Sequence, residues 1–478
     1  MKNFLIENKL AIVGILLFIL VVSFFFDKGL PIGLGLLFIL SGITFFVLNK
    51  LGFKDKKIYL LFLIVLAIHL ATTLFMHYAN FQPFAGGQGD YSGYQIWAVE
   101  ASQCFKQGIF SIKDIVLKYP DFYTGHYYPV VVGALYALTM PAEIIGLMLN
   151  VWLVAITIIF VYLIISEIGG ATKNAFIIGL ITTVYPSYVF NSGLLLKDTL
   201  EICFIILGLL FLIKTIKKFT WYNFLVLYLA IFCATHFRFY IGYALIITFI
   251  FSWFLFSKMD FKKRIIYGII FIIILGFIPQ IASNQGYYGI DSVRVFLNYE
   301  QFTYYRQVAW NPVYNATTPT TTTPTTTTPT ALTSVVGFDS SFSVEKGLLG
   351  YAESFVYVLL GPFPWQIKYL RQSFALIETI PWYFLLFFVV DGIIILFKKR
   401  VKEAAPLLIF SIIVMVVIAV FYKNFGLIVR IRIPVFISLL CLASFGFNKN
   451  NIICKTIAVF HKNLAGRRQL IGIKNEKI

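Results

Sequence analysis

Four short stretches of this chain set charged side chains against long apolar runs, and they are where chemistry can be done. The first is Gly86-Gly87-Gln88-Gly89-Asp90-Tyr91-Ser92-Gly93-Tyr94, inside a polar loop from Phe81 to Pro129. Asp90 and Tyr94 share one helical face, a turn apart. The glycines before them permit a sharp turn onto that helix. A carboxylate so placed can take a proton from an acceptor hydroxyl. It can equally do no more than cap a helix. The second stretch is Lys197-Asp198, opening an apolar run, with Glu201 one turn later. It offers a cation to a phosphate and a carboxylate to an acceptor or metal, or else a helix cap with its ion pair. The third is His236, Arg238 and Tyr240 between two apolar runs, and the fourth is Arg430-Ile431-Arg432-Ile433-Pro434. An arginine presents a planar fork of donors that suits phosphate, and helix N-termini aimed at the same place would add to it. The plainer alternative is snorkelling to lipid headgroups.

The elements that must position these residues are membrane spans. Of the 478 residues, 59% are hydrophobic and 13% charged, far below the quarter charged of a soluble domain. Apolar runs of about 20 residues recur, and the alternating strands of a β-barrel do not. The chain therefore reads as all-α, a polytopic helical membrane protein of about twelve spans. The expected spans are Leu10–Phe26, Leu30–Leu48, Ile58–Tyr78, Asn150–Ile165, Asn174–Phe190, Thr199–Ile213, Trp221–Thr235, Phe239–Phe256, Ile265–Ala282, Thr379–Phe397, Leu407–Tyr422 and Ile428–Phe447. Leu10–Phe26 lacks a small-residue cleavage site behind it and is taken as a retained helix.

The net charge of +18 follows from short cytoplasmic loops that collect Lys and Arg, so no nucleic-acid partner is needed to explain it. Clusters such as Lys54–Lys57, Lys258–Arg264 and Lys398–Lys402 fix the orientation. Both termini fall inside, and the basic tail after Phe447 lies against membrane lipids. The Phe81–Pro129 loop and the later segment Ser283–Glu378 fall on the extracytoplasmic face. Pro129–Met140 is apolar but short. Were it a span, the later basic clusters would lie outside, so it reads as a re-entrant or surface helix. Leu348–Leu360, ending at Gly361-Pro362-Phe363-Pro364-Trp365, reads as an interfacial helix roofing the outer face.

The organisation expected is two additional N-terminal helices (1–57), a catalytic transmembrane module with the first outer loop (58–282), an outer segment (283–378), C-terminal helices (379–447) and a basic tail (448–478). Within the outer segment, residues 317–330 are a Thr/Pro tract with Pro319, Pro324 and Pro329 five apart. Such a tract builds no core and reads as an extended linker. It is either a slippage insertion or a mucin-like carrier of sugars. The five cysteines show no paired spacing. No His-x-x-x-His or Walker-type loop occurs, which removes the usual motifs for zinc hydrolysis and ATP-driven pumping. His69, within a span, reads as a helix-packing residue.

Taken in order, the motifs resemble the GT-C class of membrane glycosyltransferases, in particular the protein O-mannosyltransferase and aminoarabinose-transferase branch (glycosyltransferase family 39-like). The carriers are Gly89-Asp90-Tyr91-x-x-Tyr94-x-x-x-Ala98, Tyr128-Pro129, Leu196-Lys197-Asp198-Thr199-Leu200 and Arg430-Ile431-Arg432-Ile433-Pro434, across Gln82 to Phe447. The resemblance implies a GT-C-like fold in the cell membrane with an extracytoplasmic site. It implies a polyprenyl-phosphate sugar as donor and a protein, lipid or glycan as acceptor. It implies Asp90 as catalytic base and Asp198 as a site-lining carboxylate. Tyr91, Tyr94 and His126 fall beside them as acceptor-lining residues. Lys197, Arg238, Arg430 and Arg432 are the candidates for the donor phosphate on physical grounds. Members of that class often carry two adjacent acidic residues where this chain has Asp90-Tyr91, so a divalent metal stays open and no other cofactor is implied. The rivals are a polymerase or ligase using lipid-diphosphate glycans and a lipid-linked glycan flippase. The latter would show interrupted helices.

Overall fold

A computed structural model describes residues 24–25, 27–81, 90–120, 127–282, 347–366, 376–399, 402–421 and 425–447. The expected span Leu10–Phe26 lies almost wholly outside them. So do His126, the Thr/Pro tract and the basic tail.

Among the described residues every regular element is helical. In chain order these are α1 Gly29–Lys50, α2 Lys56–Tyr78, α3 Asp90–Lys106, α4 Ile112–Lys118, α5 Tyr127–Leu138 and α6 Glu143–Glu167. Then follow α7 Thr172–Thr183, α8 Pro186–Ser192, α9 Asp198–Lys217, α10 Trp221–Phe237, α11 Phe239–Phe256 and α12 Phe261–Ala282. After the outer segment come α13 Gly347–Leu360, α14 Leu376–Lys399, α15 Ala405–Phe421 and α16 Phe425–Ala443.

Two helices make the centre. α6 and α9 are buried over most of their length and pack on one another. α1 and α2 flank α6, while α10, α11 and α16 flank α9. α9 carries Asp198 and Glu201 in its first turn and Lys214 and Lys217 in its last, the arrangement that complements the helix dipole. The outer helices turn Phe38, Phe46, Phe75, Phe251, Phe384 and Phe387 outward. An apolar exterior over a packed interior is the make-up of a helical membrane protein, since a soluble surface seldom exposes so much hydrocarbon.

Six helical segments are long and apolar enough to cross a membrane: Gly29–Lys50, Lys56–Tyr78, Glu143–Glu167, Asp198–Lys217, Leu376–Lys399 and Lys402–Val420. A bent pair, α7 with α8, would make a seventh. That is the number the described residues support, against the twelve expected. α10 and the part of α11 from Tyr240 to Phe256 are apolar but shorter.

The expected span Asn174–Phe190 is not continuous. It breaks between α7 and α8 with a 60° bend. Pro186 lacks an N–H and restricts the residue before it, so the helix cannot run through. The groups freed by the break are satisfied elsewhere. His69 on α2 bonds the Thr183 carbonyl through Nε2 at 3.0 Å and the Ser192 hydroxyl through Nδ1 at 2.8 Å. The Ser187 N–H donates to Glu378 Oε2 at 3.2 Å. α6 also departs from expectation, beginning at Glu143 rather than Asn150. α5 has 12 residues, about 18 Å of helix, too short to cross. α13 is packed more deeply than a roof: Tyr357 and Val358 are buried, and it lies along α15.

The bundle has two polar ends. At one, Tyr162 Oη donates to Asp55 Oδ2 at 2.5 Å, Lys217 pairs with Glu167 at 2.8 Å and Lys258 with Glu403 at 2.9 Å. At the other lie the starts of α3, α9 and α14. Asp391, within α14, belongs to neither. It is 1% exposed, and neither carboxylate oxygen has a hydrogen-bond partner among the described residues. A buried unsatisfied polar group costs about 1–3 kcal/mol. Asp391→Leu is therefore expected to raise stability by about that amount, read as thermal unfolding in detergent. A loss of stability would mean that the carboxylate has a partner.

Candidate functional site

The site grows from a backbone arrangement at the start of α9. A turn over Gly193–Lys197 follows α8 and delivers Asp198 as the first residue of α9. That turn is pinned from behind. Asn150 on α6 donates from Nδ2 to the Leu194 carbonyl at 2.9 Å and accepts from Tyr128 Oη at 3.0 Å. The Tyr128 ring meets the Tyr94 ring edge-on, centroids 5.6 Å apart. Tyr94 belongs to α3, one turn from Asp90. So α3, α5, α6 and the turn before α9 are tied in series. α3 approaches α5 closely at Gly133, where a Cβ would come within 2.7 Å of Ala101 Cβ and 2.9 Å of the Ala98 carbonyl. Any larger residue there would push α3, and Asp90 with it, off the bundle.

Arg238 alone links α10 to α11. Its N–H donates to the Ala234 carbonyl at 2.9 Å, and its own carbonyl accepts from Ile241 and Gly242 at 3.1 Å each. The tight hairpin depends on Gly242, whose added Cβ would lie 2.4 Å from Thr235 Cα. The side chain then reaches α9. Arg238 Nη2 donates to Asp198 Oδ1 at 3.0 Å, and Nε lies 3.2 Å from Glu201 Oε2.

Arg430 arrives from α16. Its Nη2 donates to Asp198 Oδ2 at 2.6 Å and its Nη1 to Asp90 Oδ2 at 2.9 Å. One guanidinium thus bridges two carboxylates that are far apart in sequence. Exposure falls inward across the cluster: the Asp90 side chain is 60% exposed, Arg430 19% and Asp198 2%. Lys197 sits beside Arg238, Glu201 and Asp198. Burial first, and then the neighbouring Arg238, push its ammonium down to about 8. Burial, followed by the charges of Asp198 and Asp90, raises the Tyr94 phenol above the ordinary tyrosine range, so Tyr94 stays neutral and can donate a hydrogen bond.

Asp90, Tyr94, Lys197, Asp198, Arg238 and Arg430 therefore come together from four separate elements. Tyr91 is buried in the same apolar cluster as Tyr94. Arg432 does not join them. Two residues beyond Arg430 on a helix, it points to the opposite side. There Nη2 donates to Glu378 Oε1 at 2.7 Å and Nη1 to the Gly361 carbonyl at 2.7 Å, and the guanidinium lies 4.8 Å from the Phe436 ring centroid. Glu378 also accepts from Tyr185 Oη at 2.6 Å and from the Ser187 hydroxyl. This second cluster joins the broken helix, the end of α13, the start of α14 and α16. It is fully enclosed, and we assign Arg432 to holding the fold. An open groove beside it, lined by Leu360, Phe363, Trp365, Tyr383, Leu386, Phe387 and Val390, is almost wholly apolar.

Glu201 as a partner of Arg238, the Tyr128–Asn150 brace and the Glu378 hub were not assigned from sequence. A polar residue inside an apolar run, as at Asn150, was the available signal. Among the described residues no three His, Cys, Asp or Glu side chains are grouped to hold a metal ion. In the cluster, Arg430 occupies the place between Asp90 and Asp198 that a bridging cation would take. No protein-family model matches the chain, and no curated protein matches it in sequence.

Proposed function

We propose that the chain is a GT-C-like membrane glycosyltransferase that moves a sugar from polyprenyl phosphate to an acceptor hydroxyl at the extracytoplasmic face. The observation that carries this reading is the Arg430 bridge: an exposed carboxylate and a buried carboxylate held by one guanidinium, with Arg238 and Lys197 behind. It offers a base at the surface and cations just beneath. The opposite end of the bundle, with Lys56, Lys57, Lys217 and Lys258, fits the cytoplasmic side. On this reading α7–α8, α10, α11, α12 and α16 cross the cell membrane as well, the full chain has about twelve spans, and both termini are cytoplasmic.

The reaction then runs in one displacement. The acceptor hydroxyl gives its proton to Asp90 as its oxygen bonds to the anomeric carbon. The bond from that carbon to the phosphate oxygen breaks, and its electron pair leaves with polyprenyl phosphate. Arg430, with Arg238 and Lys197, stabilises the charge that collects there. Tyr94, neutral and one turn from Asp90, can orient the acceptor.

One observation favours a second reading. The interrupted helix α7–α8 lies beside buried polar side chains, as discontinuous helices do at the binding sites of membrane transporters. A single assay separates the readings. Membranes holding the chain are given labelled sugar on polyprenyl monophosphate or diphosphate, and transfer to acceptor is measured. Transfer from the monophosphate is expected. Transfer from the diphosphate alone would replace the proposal with the polymerase or ligase. Movement of intact donor across the bilayer without transfer would replace it with the flippase.

A further inference from the structure

The Arg430 bridge has one exchangeable arm and one fixed arm. The fixed arm is the bond to Asp198, 2.6 Å long, between side chains 19% and 2% exposed, with Arg238 on the other oxygen of the same carboxylate. The other arm, to Asp90, meets a carboxylate 60% exposed. Exposed ion pairs contribute little, whereas breaking a buried one leaves an uncompensated charge. An anion entering from solvent or lipid can therefore take the place of Asp90 and not of Asp198.

We propose that Arg430 exchanges Asp90 for the donor's phosphate, so that docking of polyprenyl phosphate is what releases Asp90 to act as base. This rests on the glycosyltransferase reading above and adds to it an order of events. Before donor binds, Arg430 Nη1 holds Asp90 by its Oδ2. Once a phosphate oxygen accepts from Nη1 in its place, Asp90 is freed next to the sugar it must help to transfer. Donor binds first and acceptor second. Asp90 thus competes with the phosphate for one cation, and removing its charge should tighten phosphate binding while it abolishes transfer.

The test uses the purified full chain in detergent and measures binding of farnesyl phosphate, farnesol and inorganic phosphate to wild type and Asp90→Asn. Asp90→Asn is expected to bind farnesyl phosphate about five- to tenfold more tightly, as follows from losing an exposed competing ion pair and its charge, with farnesol unchanged. An equal gain for inorganic phosphate would keep the exchange and assign the site to phosphate regardless of a lipid chain. Equal affinities in the two proteins, or tighter binding by wild type, would overturn the exchange and leave the donor assignment standing. Farnesyl phosphate bound by neither protein would overturn the exchange and the monophosphate donor together. In Arg430→Ala binding should be lost in either Asp90 background, and its retention there would also overturn the proposal.

Discussion

Asp90→Asn is expected to lower sugar transfer by about a hundredfold or more, the scale of losing a general base, while the unfolding midpoint stays within a degree or two. The two halves of that expectation have separate causes. Asn keeps the shape of the side chain and still favours a helix start. What it lacks is the negative charge that takes a proton. Stability should hardly move, because the Asp90 side chain is 60% exposed and its pair with Arg430 is solvent-facing; such pairs contribute roughly 0–1 kcal/mol. The inner pair of Arg430 with Asp198 is untouched. The measurement is initial-rate transfer in membranes beside thermal unfolding of the purified protein. Transfer at the wild-type rate would make Asp90 a helix cap. Loss of transfer together with a large loss of stability would make it a structural residue.

Much of this cluster was legible because membrane burial is intolerant of charge. Asp198, Arg238 and Arg430 each interrupt an apolar run at a helix end, and sequence alone marks them as facing a cavity or a partner. Their convergence was legible only through the expected orientation of the spans. What could not be read is which face of a helix each side chain takes. Arg430 and Arg432 look equivalent in the sequence, yet two positions along a helix turn a side chain by about 200°. One joins Asp198, and the other is sealed against Glu378 and the Gly361 carbonyl. The break at Pro186 was equally visible as a residue and invisible as a bend, because hydropathy runs smoothly through it. Its cost depends on His69 and Glu378, which lie 114 and 191 residues from the groups they satisfy.

Asp198→Ala is expected to do the reverse of Asp90→Asn and destabilise the protein by about 3–5 kcal/mol, the range for removing one member of a buried ion pair. The Asp198 side chain is 2% exposed and gives one oxygen to Arg238 and the other to Arg430. Without it two guanidiniums from α16 and the α10–α11 hairpin face each other across a cavity. Glu201 remains near Arg238 and Asp90 near Arg430, but neither lies between them. The unfolding midpoint in detergent measures the loss. A double-mutant cycle with Arg238→Met separates charge from packing. If the stranded guanidinium is the cause, Asp198→Ala should cost about 1–3 kcal/mol less in the Arg238→Met background than in wild type. If the two losses simply add, the pair is not what holds α9 to the hairpin, and the Arg430 bridge would have to stand without its inner anchor. A variant Asp198→Ala as stable as wild type would go further. It would mean that the inward end of the bridge is as exchangeable as the outward one, and the division between a fixed arm and a catalytic arm would fall.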